Sequence, residues 1–264
     1  MSDERYHATH DTFEEASNQR SLILEWFERW ADQALATMDH LHVLSVGCGG
    51  GTMDMQLADL FARHCRTLSL AAVDPNPLHT RAFAECFADR VAEVTVATSP
   101  FETCEIDHPF DVIHFIHCLY YIEDLDAALD KAIGLLRPGG SLIVLNAPRE
   151  ALNHLAHRLW RKQWNRTAWY SDDILAALEK RGGTIEHQRI EAQLDVSTCR
   201  DPADEHGRCL LDFTAQVDSR LLEEPLQKLL HEYLLGIAQS GGDGGNDDRA
   251  FAPHPVDGIV FRRQ

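Results

Sequence analysis

The chain has 264 residues, of which 44% are hydrophobic and 25% are charged. This composition suits a soluble globular protein with one large core, or one domain carrying an appendage. The formal net charge is −18, and a chain this acidic would be repelled by a phosphate backbone, so we expect no nucleic-acid partner. No apolar run is long enough to cross a membrane, so we expect no membrane partner.

Cysteine usage and the N-terminal sequence favour a reducing compartment. The seven cysteines occupy positions 48, 65, 86, 104, 118, 199 and 209, an odd number without a Cys-x-x-Cys motif. The sequence therefore predicts neither a disulfide framework nor a metal site. The N-terminus, MSDERYHATH, is polar and lacks the apolar core of a signal peptide. We expect a cytoplasmic protein.

The first half of the chain alternates apolar strands with amphipathic helices. Residues 1–16 are polar, and the apolar spacing of residues 17–38 predicts a helix. Strands are predicted at 42–46, 67–74, 91–98, the start of 110–121, and 141–147. Helices are predicted at 53–65, 77–90 and 124–136, the last stopped by the sequence RPGG at 137–140. This rhythm indicates a doubly wound α/β sheet.

After residue 150 the alternation becomes less regular. Helices are predicted at 149–164, at 171–183 and over most of 203–238, where Pro225 is expected to interrupt the helix. Strands are predicted at 184–196 and 255–263, and the composition of 240–248 predicts a flexible loop. The fold class expected is α/β, a Rossmann-like sheet of about seven strands with an N-terminal segment and C-terminal helical insertions.

A glycine-rich turn follows the first predicted strand, with Gly47, Gly49 and Gly51 in alternate positions. A dinucleotide fingerprint needs a glycine at position 52, where the chain has Thr52, and the Gly-Lys-Ser/Thr of a phosphate-binding P-loop is absent. The remaining pattern, G-x-G-x-G, is typical of folds that bind S-adenosylmethionine (SAM). Close packing of a helix on a strand would also account for these glycines, so the turn alone does not decide.

Two further features favour SAM. Asp74 ends the second predicted strand, where a carboxylate can accept hydrogen bonds from ribose hydroxyls, although a lone aspartate there is also common in turns. The sequence LLRPGGSLIVL at 135–145 resembles the approach to the fifth strand in SAM-dependent methyltransferases. Together with the glycine turn, these features predict a class I methyltransferase that converts SAM to S-adenosylhomocysteine (SAH).

The segment DVIHFIHCLYYIEDLDAAL at 111–129 resembles the histamine N-methyltransferase family. VLSVGCGGGTMDMQL at 43–57 is similar to that family's cofactor turn, including Ser45, where many methyltransferases carry an acid. Similar segments follow in the family's order, namely LWRKQW (159–164), YSDDILAALEKRG (170–182), CLLDF (209–213) and GIVF (258–261). The resemblance covers nearly the whole chain.

The resemblance implies a role for each matching residue. It implies that the cofactor is bound by residues of the first four strand ends, namely Gly47, Gly49, Gly51, Asp74, His79, Thr98, Ser99 and Ile116. It implies catalytic positions beside the reacting methyl group at His117, Tyr120 and Tyr121. It implies a largely aromatic substrate pocket made of Tyr6, Phe13, Gln19, His117, Tyr120, Tyr121, Trp160, Phe213 and His254. Several of these aromatic residues would serve equally well as core residues.

The chain departs from the family's pattern at four pocket positions. Gln19 stands where the family has an acid that binds the substrate, His117 where it has a glutamine, and His254 where it has an asparagine. Ala156 stands where it has a tryptophan. Loss of the acid removes a charged hydrogen-bond partner worth about 1.5–3 kcal/mol. The departures make histamine itself doubtful as the substrate.

The reaction expected is in-line transfer of a methyl group from SAM to a nitrogen of a small amine or imidazole. His117 is the candidate to orient the nucleophile or to take its proton, and the ring faces of Tyr120 and Tyr121 would attract the sulfonium charge. The alternatives are methyl transfer to oxygen, sulfur or a guanidine, and a SAM-fold protein without catalysis. NAD-dependent chemistry is disfavoured by Thr52.

The whole chain, 1–264, is expected to be one methyltransferase domain. Within it, residues 1–38 would form an N-terminal lid and helix, 39–150 the SAM-binding core, and 151–264 the substrate-covering helices and last strands. Residues 1–16 and 240–255 are the candidate lids. We expect a small-molecule methyl acceptor as partner and a monomer or weak homodimer.

Overall fold

The structure is a computed structural model that describes residues 3–88, 90–106, 109–150, 152–154, 168–240 and 249–263, without the side chains of residues 3, 4, 6 and 7. The helices it describes are α1 (Asp3–Ala16), α2 (Gln19–Ala34), α3 (Thr52–Phe61), α4 (Pro77–Phe87), α5 (Leu125–Gly134), α6 (Ser171–Glu179), α7 (Glu205–Ala215) and α8 (Glu224–Ile237). The strands are β1 (Met38–Val46), β2 (Cys65–Asp74), β3 (Glu93–Thr98), β4 (Phe110–Ile116), β5 (Leu136–Asn146), β6 (Thr184–Ile190), β7 (Gln193–Asp195), β8 (Gln239–Ser240), β9 (Ala250–Pro253) and β10 (Val256–Arg262).

The contacts divide the chain into two compact units. The sheet unit comprises Ile23–Ala147, Trp169–Arg189 and Asp257–Gln264. The helical unit comprises Met1–Leu22, Pro148–Ala168 and Ile190–Val256. Each unit has a hydrophobic core of its own.

The sheet unit contains a seven-stranded sheet with the order β3-β2-β1-β4-β5-β10-β6. The first five of these strands run parallel, and β10 pairs antiparallel with β5. This arrangement confirms the predicted Rossmann-like α/β sheet of seven strands. Because parallel strands end at one edge of a sheet, the carboxyl ends of β1, β2 and β4 lie side by side.

Burial explains why these segments form strands. In β1 the last four residues, Val43–Val46, are buried, and in β5 the last seven residues are buried. Strands covered on both faces are continuously apolar rather than alternating. The core of this unit includes Phe101, Phe110, Phe115 and Phe261.

The helices begin where short polar side chains cap them. The Asn76 side chain accepts a hydrogen bond from the backbone N–H of Leu78 at the start of α4, and the Asp124 side chain accepts one from Ala127 at the start of α5. Pro225 lies in the first turn of α8, where its missing N–H costs nothing, so it starts a helix. The prediction that Pro225 interrupts a helix was therefore wrong.

The helical unit packs α1 and α7 with α8 and a small sheet of order β7-β9-β8. Its core includes Phe13, Leu194, Leu210 and Leu234. Residues 3–16, expected only as a polar segment, form the helix α1, and among its described side chains Thr9 and Phe13 are buried. Whether this helix acts as a lid stays a prediction.

The strand predicted at 184–196 is two strands in different sheets. Residues 184–190 form β6 in the large sheet, and residues 193–195 form β7 in the small sheet. The alternate residues Ile190, Ala192, Leu194 and Val196 are all buried. The two-residue period therefore continues across the break, and alternation could not reveal it.

Other boundaries differ slightly from the predictions. The helix predicted at 17–38 spans Gln19–Ala34, and the RPGG sequence lies within β5, where Gly139 takes a positive φ of 78°. The helix predicted at 149–164 lies largely outside the described residues. The loop predicted at 240–248 lies outside them except for its first residue.

Candidate active site

Three alternate glycines form the turn between β1 and α3. Gly47, Gly49 and Gly51 have φ values of 67°, 54° and 81°, in the left-handed region that favours glycine. The backbone N–H of Gly47 donates to the carbonyl of Val73 at 2.8 Å, which ties the turn to the end of β2.

The neighbours of the three glycines show which of them are required by packing and which lies next to open space. A Cβ atom at Gly47 would lie 2.4 Å from the Cβ of Cys118, and one at Gly51 would lie 2.9 Å from the Phe83 ring. A Cβ at Gly49 would meet no atom within 4 Å among the described residues beyond its two chain neighbours. Gly47 and Gly51 are thus required by packing, whereas Gly49 presents bare backbone to open space, which fits the close approach of a cofactor.

Asp74 is buried at the end of β2, directly beside this turn. Its Oδ2 accepts the backbone N–H of Gly49 at 3.0 Å, and its Oδ1 accepts that of Asn76 at 2.8 Å. A carboxylate has about four acceptor positions. Asp74 therefore holds the Gly49 backbone in place and still has acceptor positions for hydrogen bonds from ribose hydroxyls. This environment fits SAM.

His79, Thr98 and Ser99 lie around Asp74. The Nδ1 of His79 is 3.3 Å from the Oδ1 of Asp74. The hydroxyl of Thr98 is 2.7 Å from that of Thr80, and the backbone N–H of Ser99 donates to the Asp74 carbonyl at 3.2 Å. The structure thus brings these predicted cofactor residues together with the glycine turn.

His117 follows Ile116 at the end of β4 and has an unusual backbone. Its φ is 51°, one of two positive values among the described non-glycine residues. Its backbone N–H donates to the Leu145 carbonyl at 2.9 Å, which holds this conformation. A non-glycine residue in this region costs about 1–2 kcal/mol, and such residues cluster at functional sites.

The His117 side chain is linked to Tyr120. Its Nδ1 is 3.1 Å from the Tyr120 hydroxyl, which also accepts the backbone N–H of Ala147 at 2.7 Å. The Nε2 of His117 is buried, and the part of the chain that the structure describes offers it no hydrogen-bond partner. Burial lowers the pKa of His117 to about 4, so its ring is neutral at pH 7.

The two neighbouring tyrosines differ in exposure. Tyr121 is 50% exposed, whereas burial raises the pKa of the Tyr120 hydroxyl well above its usual value. The Tyr120 ring stacks on His117 with 6.2 Å between centroids and meets Tyr170 edge-on at 6.0 Å. The structure therefore brings Tyr120 against His117, while Tyr121 presents a ring to solvent.

Two buried polar residues at the same edge of the sheet are not among the residues predicted from the motifs. Asn146 ends β5 and donates from Nδ2 to the Trp169 carbonyl at 3.0 Å. Asp257, its partner across the β5–β10 ladder, accepts a hydrogen bond from the Ser171 hydroxyl at 2.5 Å. A polar residue at the end of an apolar strand, as in SLIVLN, is the signal that could have found them.

A second missed group lies below the glycine turn. Asp54 and His114 are both buried, and the His114 Nε2 is 3.4 Å from the Asp54 Oδ1. Burial raises the pKa of Asp54, against a hydrogen bond from Ser45, and lowers the pKa of His114. Both shifts favour the neutral forms of these groups.

In the helical unit, four predicted substrate residues meet. The Phe13 ring is 4.4 Å from Phe213 and 5.1 Å from His254, centroid to centroid. The Gln19 Nε2 donates to the His254 carbonyl at 2.8 Å, and the His254 Nδ1 is 2.9 Å from the Ser17 hydroxyl. Two other predicted substrate residues, the Tyr6 side chain and Trp160, lie outside the described residues.

The described residues contain neither a membrane-spanning helix nor a cluster of metal-binding side chains. No described helix is long and apolar enough to span a bilayer. In the described ranges, no group of three or more histidine, cysteine, aspartate or glutamate side chains is arranged to hold a metal ion.

Comparison with known proteins places the chain in a family. A family model described as "Methyltransferase domain" matches residues 10–188, more than half of the chain. Histamine N-methyltransferase from Danio rerio is 23% identical over 86% of this chain and 87% of its own length. Histamine N-methyltransferase B from Xenopus laevis is 24% identical over 67% of this chain, and the match spans 66% of that protein.

A solved structure shows the same fold. The N-methyltransferase NodS from Bradyrhizobium japonicum has a TM-score of 0.52 at 16% identity, and the match covers 94% of this chain and 98% of NodS. A second structure of NodS contains SAH. The chain belongs to the methyltransferase domain family and has the class I fold that uses SAM as its cofactor.

Proposed function

We propose that the chain transfers a methyl group from SAM to a nitrogen of a small-molecule amine or imidazole. The observation that carries the methyl-transfer part is Asp74 bonded to the bare backbone of Gly49 at the carboxyl edge of the sheet. The choice of nitrogen is supported by the sequence similarity to histamine N-methyltransferases, which extends over most of the chain.

In this proposal the cofactor residues act by binding and orienting. Asp74 accepts hydrogen bonds from the ribose hydroxyls, and the Gly49 backbone approaches the methionine part of SAM. Thr98 and Ser99, at the end of β3, border the adenine, and His79 lies beside Asp74. When bound, SAM supplies an electrophilic methyl group on a sulfonium centre.

Residues after β4 are proposed to position the acceptor nitrogen. The nitrogen lone pair forms the new N–C bond while the C–S bond breaks, and that electron pair remains on sulfur. The acceptor nitrogen must be unprotonated beforehand. His117 orients the acceptor, the aromatic ring of Tyr120 supports His117 by stacking, and the exposed ring of Tyr121 faces the incoming methyl acceptor.

Phe13, Gln19, Phe213 and His254 are retained as proposed acceptor-binding residues because the resemblance to the family implies that role. Phe13, Phe213 and His254 form an aromatic group, and Gln19 is neutral. A neutral amide cannot form an ion pair with an ammonium group, as the family's acid could. We therefore propose an acceptor other than histamine. The substrate-binding roles of Tyr6 and Trp160 stay predictions, because the Tyr6 side chain and Trp160 lie outside the described residues.

The cell compartment and assembly are also proposals. All seven cysteines are free in the structure, which supports the reducing cytoplasm as the working compartment. We propose a monomer or weak homodimer and a small-molecule acceptor as the main partner.

The experiment is a labelled-methyl screen. The purified full chain is incubated with methyl-deuterated SAM and a panel of imidazoles, including histamine and histidine, with amines, guanidines, phenols and thiols, and products are found by mass spectrometry. We expect a labelled nitrogen compound other than histamine. Labelled phenols or thiols alone would overturn the choice of nitrogen, and SAM binding without any labelled product would indicate a binding protein.

A further inference from the structure

We propose that His117 is a fixed hydrogen-bond donor, with its proton on Nε2, and that it recognises an acceptor oxygen of the bound ligand. This inference rests on the proposed function for the identity of the ligand, but the proton's position is a property of the chain alone. It replaces a role for His117 as a general base.

The Tyr120 hydroxyl has two hydrogen-bond partners among the described residues, the Ala147 backbone and the His117 ring. This oxygen accepts the backbone N–H of Ala147 at 2.7 Å, a contact in which the amide can only donate. The same oxygen lies 3.1 Å from the His117 Nδ1. The phenolic proton has no other acceptor among the contacts of the described residues, so it is directed to Nδ1.

The arrangement then determines the tautomer of the ring. Because Nδ1 accepts the Tyr120 proton, a neutral imidazole carries its own proton on Nε2. The opposite tautomer would make the Tyr120 oxygen accept two protons and would leave its own proton unpaired in a buried position, which costs about 1–3 kcal/mol. The lowered pKa of His117 supports the neutral ring.

In the series of hydrogen bonds from Ala147 through Tyr120 to His117, the Nε2–H group of His117 lacks a partner among the described residues. Its nitrogen is buried and unpaired within the described part of the chain. The His117 backbone has a φ of 51°, in the left-handed region that is costly for a residue with a side chain. A buried donor without a partner and a costly backbone conformation, combined in one residue, point to a ligand that supplies the missing acceptor.

The direction of the hydrogen bond restricts the ligand. A donor on Nε2 pairs with an oxygen of a carboxylate, carbonyl or hydroxyl group, and it opposes an ammonium group. Because His117 does not take a proton, the acceptor nitrogen is best one that is already unprotonated near pH 7, as an imidazole nitrogen is. We therefore infer an imidazole-type substrate that also carries an acceptor oxygen. The cofactor's own carboxylate is the other possible source of this oxygen.

The first test is NMR spectroscopy of the full chain labelled with ¹⁵N-histidine, with the His117→Gln variant assigning the signal. We expect an unprotonated Nδ1 and a protonated Nε2 at His117 without any ligand present. Tyr120→Phe should shift the Nδ1 signal and mix the two tautomers. A protonated Nδ1 in the wild-type chain would overturn the inference, whether or not methyl transfer is ever detected.

The second test uses a matched pair of variants at position 117. His117→Gln keeps a donor, and His117→Met is similar in size and flexibility but has none. The methyl acceptor found by the labelled-methyl screen serves as the substrate. We expect His117→Met to raise the KM for this acceptor about tenfold more than His117→Gln does, at similar kcat. A tenfold loss of SAH affinity in His117→Met, with an unchanged KM for the acceptor, would support a hydrogen-bond donor at His117. It would also mean that the oxygen that accepts this hydrogen bond belongs to the cofactor. Equal effects of Gln and Met on KM and on SAH affinity would overturn it.

Discussion

The three glycines of the turn can be separated by substitution with alanine, and Gly49 is the informative position. Apart from its two chain neighbours, no described residue has an atom within 4 Å of a Cβ built at Gly49, so the described part of the protein leaves room for it. Gly139 provides a matched control, since its φ is 78° and a Cβ there also has no neighbour within 4 Å in the described ranges, its two chain neighbours aside. The two substitutions therefore place the same strain in different locations.

The expected magnitudes follow from the backbone. An alanine in the left-handed region costs about 1–2 kcal/mol, which lowers Tm by about 2–8 °C in a chain of this size. Gly49→Ala and Gly139→Ala should show similar losses. Gly51→Ala adds a contact of 2.9 Å with the buried Phe83 ring, so its destabilisation should rise by about 1–3 kcal/mol.

The assay is SAH binding by calorimetry together with thermal unfolding. Gly49→Ala should weaken SAH binding about tenfold or more, equivalent to about 1.4 kcal/mol, because the new methyl occupies the open space above the turn. Gly139→Ala should bind SAH as the wild type does. Wild-type affinity in Gly49→Ala, or an equal loss in both variants, would refute the reasoning.

Three other predictions follow from the described contacts. Asp74→Asn should weaken SAH binding tenfold or more with little loss of Tm, because an amide still accepts from one backbone N–H but recognises ribose hydroxyls poorly; unchanged affinity would contradict this. Arg5→Met should lower the free energy of unfolding by about 3–5 kcal/mol, as measured by chemical denaturation. The Arg5 Nε donates to the buried Asp212 carboxylate at 2.9 Å, and the substitution leaves that carboxylate without its cation. Asp212→Asn in the Arg5→Met background should recover part of the loss. As pH falls from about 6.5 to about 4, the free energy of unfolding of the wild type should decrease relative to that of His117→Gln.

The sign of the last prediction follows from proton binding. Burial depresses the pKa of His117 in the folded state, so below its ordinary pKa the unfolded chain binds a proton that the folded chain does not. Stability is therefore lost as pH decreases through this window, by about 3 kcal/mol for a shift of this size. Other titrating groups, including Asp54 and His114, are present in both proteins and cancel in the difference. Parallel pH profiles for the two proteins would contradict the prediction.

The sheet and the cofactor turn could be predicted because their signals are local. Each parallel strand is a short apolar run of sequence. The glycine pattern indicates positions where the backbone is left-handed or where another group approaches it closely. Asp74 could be predicted because the end of a strand is visible in the sequence. The difference between Gly47 and Gly49 could not be predicted, because the side chain that requires a glycine at position 47 is Cys118, which is distant along the chain.

The polar network behind His117 could not be predicted for a related reason. Its partners are a hydroxyl three residues away and the backbone of Ala147, and the positive φ of His117 depends on a hydrogen bond to Leu145. The split of the predicted strand at 184–196 is also tertiary, because the buried alternation continues from one sheet into another. Burial patterns show which residues are inside, but not which sheet they join.

The central claim is that the chain moves the methyl group of SAM to nitrogen. The most direct measurement is to run the reaction with SAM carrying a ¹³C-methyl group and to follow the methyl signal by proton–carbon correlation NMR with the acceptor found by the screen. We expect the SAM methyl signal to decay and an N-methyl signal to appear at the same rate, only when the full chain is present. An O-methyl or S-methyl signal in its place, or an undiminished SAM signal across the whole panel, would contradict it.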